Sequence, residues 1–293
     1  VMTHHRIPVA SDRFVSFEDY GNPPLDAVLL CHGGPGCRIS PAPMVESYQA
    51  SGFRPIGIDR PGYGATSPWP GRTISDWTGD GVAVADHLGL DAFFIVGSST
   101  GASYALALAA GIPERVQGVV ICCGMSDQQW ANGVDEARMD LADDFWFAPD
   151  RNTAISAAEA LYGPHGEQQH EQGPNGRDIW SPPDHAVLLA GARQAADLDN
   201  LPFAQGVIGY VDDRIADGPA QGWQSFDVSR VRCPVNVIHG EQDWIVPVAQ
   251  ARHTASLLSN STLRTYPEHG HLSVGMEALG ALTDVRTRSS GGG

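Results

Sequence analysis

The sequence contains no lysine: all 18 of its basic side chains are arginine, set against 34 acidic ones, for a formal net charge of −16 over 293 residues. So acidic a chain repels phosphate backbones and anionic lipid surfaces, which argues against nucleic-acid binding and against a membrane partner. No apolar run reaches the ~18–20 residues needed to cross a bilayer. The opening VMTHHRIPVASD has no apolar core followed by a small-residue cleavage site, so no secretory leader is expected. Cysteine is scarce and odd in number: Cys31, Cys37, Cys122, Cys123 and Cys233, with no CxxC pair. That fits reduced thiols in a cytoplasmic enzyme better than a disulfide framework, and no CxxC pair suggests zinc. HGEQQH (165–170) spaces its histidines five apart, which is wrong for one helical face, so no metal site is expected there. What the chain does have, 42% hydrophobic residues and 8% aromatics, suits a packed globular protein. Its length allows one large α/β domain or such a domain carrying an insertion.

Short apolar segments ending near glycine recur along the chain: AVLLCHG (27–33), FRPIGID (53–59), FFIVGSS (93–99), GVVICCG (118–124) and PVNVIHG (234–240). Runs apolar on both faces read as buried strands of a parallel sheet. FVSFEDY (14–20) alternates instead and reads as an exposed antiparallel strand at the sheet edge; TLRTYPE (262–268) reads as the last strand. Helical patterns lie between them at 73–90, 102–111 and 246–260. Alternation of this kind predicts a doubly wound, mostly parallel sheet. The rhythm stops between 125 and 230, a stretch rich in aspartate, proline and tryptophan with helical pieces at 153–163 and 184–198. The reading is a core of 1–124 and 231–288, a mainly helical cap at 125–230 inserted after the sixth strand, and a tail at 289–293.

Residues 97–101 read GSSTG. In a chain with 34 glycines the pentad alone carries little, but its context carries more: a buried strand enters it and a helix leaves it. A sharp turn there pushes the hydroxyl of Ser99 into a cleft, and only small residues fit beside the approaching backbones. A serine needs a base, and the base needs an orienting carboxylate. PVNVIHGEQDW puts Asp243 after one late strand, and TYPEHGHLSV puts His271 after the next. CHGGPG (31–36) follows the first strong strand, and the amides of Gly34 and Thr100 would be the donors for an oxyanion.

Taken together, HGGPG (32–36), DRPGYGATS (59–67), GSSTG (97–101), GEQD (240–243) and GHLS (270–273) resemble an α/β-hydrolase fold enzyme with a lid, in order and in spacing. HGGPG is especially similar to the proline iminopeptidase branch, although the serine motif there usually reads GGSWG. Ser99 argues against the dehalogenases and epoxide hydrolases of this fold, which use an aspartate nucleophile. The resemblance places the base directly after a glycine, favouring His271 over His269. It leaves two acids open, Asp243 and, after the preceding strand, Asp127. His32 is read as holding the oxyanion loop by hydrogen bonding. Asp59 and Arg60 are read as loop supports, and Cys122 and Cys123 as core thiols.

The acidic stretch DEARMDLADDFW (135–146) reads more readily as a solvated face than as a carboxylate pair gripping an ammonium. Cys37, Trp130, Phe145, Trp146 and Trp180 are the candidates for the substrate pocket. The expectation is a cofactor-free serine hydrolase acting on a neutral small-molecule ester, or a lactone, through Ser99, His271 and Asp243. Its rivals are an aminopeptidase of the proline iminopeptidase type, a carbon–carbon bond hydrolase and a ligand receptor on the same scaffold. Nothing in the sequence sets the oligomeric state.

Overall fold

The computed structural model describes residues 2–21, 23–139, 148–165, 178–191 and 201–291. Its centre is an eight-stranded sheet built from β1 (Thr3–Pro8), β2 (Phe14–Asp19), β3 (Asp26–Cys31), β4 (Phe53–Ile58), β5 (Phe93–Ser98), β6 (Val116–Cys122), β8 (Val235–Gly240) and β9 (Ser261–Tyr266). A short strand, β7 (Ala204–Val207), lies outside it. The order across the sheet is β1-β2-β4-β3-β5-β6-β8-β9. The two pairings of β2 are antiparallel and the rest are parallel.

Parallel strands need helical crossovers, and here these cover both faces. Ala27, Leu29, Phe93, Ile95, Val119 and Ile121 face a core shared with α2 (Thr78–His87), α3 (Gly101–Gly111) and α8 (Val248–Leu257). Their neighbours Val28, Leu30, Phe94, Val96 and Val120 face a second core with α1 (Val45–Ala50) and α9 (Ala278–Ser290). Burial on both sides is why these strands read as unbroken apolar runs. Helix α3 is buried along its whole length from Gly101 to Ala110. Each fully buried leucine such as Leu106 or Leu108 contributes roughly 1.5–3 kcal/mol.

Two expectations need correction. FVSFEDY is not an edge strand: β2 lies between β1 and β4, and Val15 through Asp19 are all buried. Its polar positions are covered, with the Ser16 N–H donating to Thr66 Oγ1 (2.8 Å) and Glu18 paired with Arg38 (3.3 Å). The true edge is β1, THHRIP, whose polar outer residues hid it. The expected tail also begins late, because α9 continues to Ser290.

Between β6 and β8 the chain forms α4 (Gln128–Asn132), α5 (Arg151–Tyr162), α6 (Pro182–Gly191) and α7 (Ile208–Ala216), which is the helical insertion. Among the described residues no helix is long and apolar enough to cross a membrane.

Candidate active site

Strands β5, β6, β8 and β9 are neighbours in the sheet, so the loops leaving their C-terminal ends meet along one edge. Ser99 follows β5 directly with φ 52°, a left-handed conformation that is rare for a residue with a side chain. Such a backbone costs of order 1–3 kcal/mol and persists only where its surroundings enforce it. Those surroundings are visible: the Ser99 N–H donates to Cys122 O (3.0 Å), and Ser99 O accepts from Met125 N–H (3.2 Å). The flanking glycines of the pentad allow the close approach. A Cβ on Gly97 would lie 2.6 Å from Gly101 O, and one on Gly101 would lie 2.6 Å from His32 O and overlap Cys31 O. Since those carbonyls are backbone and cannot swing aside, Gly101→Ala should destabilise the protein by about 1–3 kcal/mol. The check is a lower urea midpoint with an unchanged slope.

His271 and Asp243 come together from the ends of β9 and β8. Nδ1 of His271 lies 2.8 Å from Asp243 Oδ2, and both side chains are buried. Asp243 is held by further donors: its Oδ1 accepts the Ile245 and Val246 N–H groups (2.9 and 2.8 Å), and His239 Nε2 lies 3.1 Å from its Oδ2. Burial alone would raise this carboxyl, but the imidazoles of His271 and His239 hold it well below the usual carboxylate range. Burial likewise opposes charging of His271, yet the facing Asp243 carboxylate outweighs it and lifts the imidazole above its ordinary value. Among the described residues the His271 ring bonds Asp243, and no hydrogen bond joins its Nε2 to Ser99. The thiol of Cys123, from the end of β6, neighbours both His271 and Asp243.

The other sequence candidates fall as follows. Asp127 caps α4, its Oδ1 accepting the Gln129 N–H (3.0 Å), and Gln224 bonds its Oδ2 (3.4 Å). It does not meet His271. His269 turns towards Glu277 (3.6 Å). Cys37 is buried and lines a cavity of about 160 Å³ with His32, Gly33, Met44, Tyr48 and Ser98, beside the serine turn. Trp130 stacks flat on His253 of α8 at 3.7 Å. Trp180 is half-buried just before α6. Phe145 and Trp146 lie outside the described residues, as do Gly166 to His170 of HGEQQH and most of the acidic stretch. Of that stretch Asp135 and Glu136 are exposed, Asp135 pairing with Arg138 (3.4 Å).

The HGGPG loop is fixed from behind. His32 Nδ1 donates to Gly33 O (2.6 Å) and its Nε2 accepts the Arg60 N–H (3.3 Å). Burial and the nearby Arg60 cation push this imidazole down to about 3, so it stays neutral with one tautomer imposed. Arg60 also donates to the carbonyls of both His32 and Gly33. Across a trans peptide the N–H points opposite to the carbonyl, so the N–H groups of Gly33 and Gly34 face away from Arg60. Gly34 lies against Thr100: a Cβ there would sit 3.2 Å from Thr100 Oγ1 and 3.3 Å from the Tyr210 ring. Neither the Gly34 nor the Thr100 N–H takes a backbone partner among the described residues.

Sequence reasoning missed what the insertion adds to this wall. Asp213 on α7 bonds the guanidinium of Arg60 (2.7 Å), that of Arg72, and the Tyr104 hydroxyl (2.9 Å), all with no exposed surface. Arg214 donates to the Tyr210 hydroxyl (2.9 Å) and to Thr100 Oγ1 (3.4 Å). In the sequence, VDDRIAD looks like a solvated charged face, and no spacing rule reveals that its partners Arg60, Arg72, Tyr104 and Thr100 lie 109 to 153 residues away. Among the described residues no group of three or more His, Cys, Asp or Glu is arranged to hold a metal.

A family model described as alpha/beta hydrolase fold matches residues 26–276. A proline iminopeptidase of Neisseria meningitidis serogroup B is 24% identical over 286 residues, covering 92% of this chain and 91% of its own. Among solved structures, a thermophilic esterase from Thermogutta terrifontis superposes with a TM-score of 0.67 at 20% identity, over 98% of this chain and 99% of that one. The enol-lactonase of Burkholderia xenovorans LB400 gives 0.68 at 18% identity, over 97% and 99%.

Proposed function

Given that the chain belongs to the alpha/beta hydrolase fold family, we propose that it is a serine hydrolase cleaving neutral carboxylic esters, lactones included, through Ser99, His271 and Asp243. The observation that carries the reading is the buried His271–Asp243 pair (2.8 Å) at the same sheet edge as the left-handed turn of Ser99. Ser99 Oγ attacks the acyl carbon as its proton passes to His271 Nε2, the nitrogen that Asp243 leaves free. The developing oxyanion is met by the Gly34 and Thr100 amides; losing one such donor typically costs about 3–4 kcal/mol. The acyl–oxygen bond then breaks, the alcohol leaves with the proton from His271, and an acyl-enzyme remains. Water gives a proton to the same imidazole, attacks the acyl carbon, and releases the acid and Ser99.

The cavity beside the turn supports a neutral substrate. Its walls at Leu30, Val96, Met44 and Ala278 are apolar, and its volume of about 160 Å³ is of the size that holds a benzene ring.

Several relatives are proline iminopeptidases, and an amide substrate with a free ammonium is the competing reading. Binding an ammonium calls for an unengaged carboxylate in the insertion. Of the buried ones described there, Asp184, Asp212 and Asp213 have both carboxylate oxygens hydrogen-bonded, whereas Asp217 accepts from the Ser103 hydroxyl through Oδ1 and its Oδ2 takes no partner among the described residues. The apolar walls of the cavity beside the serine turn favour the ester. Purified protein should turn over p-nitrophenyl acetate or butyrate faster than proline p-nitroanilide by at least about tenfold in kcat/KM, a difference of about 1.4 kcal/mol in transition-state binding. Faster turnover of the anilide would overturn the assignment.

A further inference from the structure

We propose that Asp184, a residue of the insertion, is a positioning residue for the catalytic base: it clasps the backbone of the His271 loop and so makes the cap part of the rate-setting machinery. This rests on the triad reading above. Asp184 stands in the first turn of α6 with no exposed surface. Its Oδ2 accepts the His271 N–H (2.9 Å) and the Ser181 hydroxyl (2.8 Å). Its Oδ1 accepts the N–H groups of Leu272 and Ser273, both at 2.9 Å. These amides open the 3-10 turn Ser273–Glu277, where no partner within the turn exists for them.

A buried carboxylate is tolerated only where its oxygens are filled, and here four donors fill them. Bonds from N–H to a charged acceptor are roughly twice as strong as neutral ones. The contact is close enough that position 270 has room only for glycine, since a Cβ there would overlap both Ser181 Oγ and the Asp184 carboxylate. His271 is thus held at two points: Asp243 fixes the ring through Nδ1, and Asp184 fixes the main chain from which the ring hangs. A displacement of about 1 Å at a reacting group can cost about 100-fold in rate. The charged and titratable groups that face the imidazole are Asp243 from β8, Cys123 from β6 and Asp184 from α6, with His239 behind Asp243. Asp184 shares in raising the proton affinity of His271, which supplies a readout that a purely structural brace would not move.

The test compares wild type with Asp184→Asn and Asp184→Ser on p-nitrophenyl acetate, with thermal melting to verify folding. Serine keeps one capping acceptor and carries the test if the asparagine variant does not fold. The expected result is a kcat lower by about 10- to 100-fold, KM within about twofold, and an acid limb of kcat/KM moved to lower pH. Asp184→Glu, which restores the charge, should return the limb towards wild type. A kcat within about threefold of wild type with an unmoved limb overturns the clasp, and so does a loss confined to KM. Ser99→Ala keeps the two readings apart: if it retains turnover, the triad fails whatever Asp184 does. If it abolishes turnover while the Asp184 variants behave as wild type, the clasp alone fails.

Discussion

Ser99→Ala is expected to lower kcat for a neutral p-nitrophenyl ester by about 10⁴-fold or more, leaving the melting temperature within a few degrees of wild type. The size follows from the role proposed for the hydroxyl: without it no acyl-enzyme could form, and the proposed oxyanion donors would act only on a weak attack by water. The small structural cost has its own reason. Ser99 sits at φ 52°, a conformation that alanine also adopts only under strain, so the strain persists while the backbone bonds to Cys122 and Met125 remain. A fluorophosphonate should label the wild type and leave the variant untouched. Retained turnover in a preparation free of contaminating esterase would end the serine mechanism.

Asp243→Asn should be nearly as damaging, with kcat down by about 10⁴-fold, and it also carries a pH signature. In the wild type Asp243 accepts from His271 Nδ1, and in the proposed mechanism Nε2 takes the serine proton. An asparagine amide in that place can present N–H to Nδ1 and favour the wrong tautomer. The sign of the pH effect follows from the charge. As the proposed base His271 must be neutral, so kcat/KM is expected to rise with pH through its titration. Asp243 raises that titration above the ordinary imidazole value against the opposing effect of burial. Removing the carboxylate charge must therefore shift the acid limb to lower pH. Residual activity with an unmoved limb would mean that another carboxylate orients the ring. Asp127, the other acid that the sequence leaves open, caps α4 instead of reaching the ring.

Much of the candidate site is legible in the sequence because each part has a strong local signature. The GSSTG turn needs glycines where backbones nearly touch, HGGPG needs a chain that leaves its amides free, and the acid and base follow strands whose apolar runs are plain. The less legible parts depend on cover that lies far away in sequence. The β2 strand alternates like an exposed edge, yet its polar face is closed by Thr66 and Arg38. Trp130, an aromatic in the right stretch for a pocket, spends its face on His253. Asp184 opens a recognisable helix, but nothing in SPPDHAV indicates that its carboxylate closes on amides 87 to 89 residues later.

By itself the sequence determined the strand–helix alternation, the doubly wound sheet and the chain order of the candidate nucleophile, acid and base, because periodicity and glycine placement are local constraints that every packing of the chain must respect. The tertiary structure alone decided which acid meets His271, how Arg60 and Asp213 brace the HGGPG loop, and that Asp184 grips the His271 backbone. Those choices are made by buried charges finding partners across 28 to 153 residues. A buried charge is stable only once its partner is in place, and that pairing depends on the finished packing.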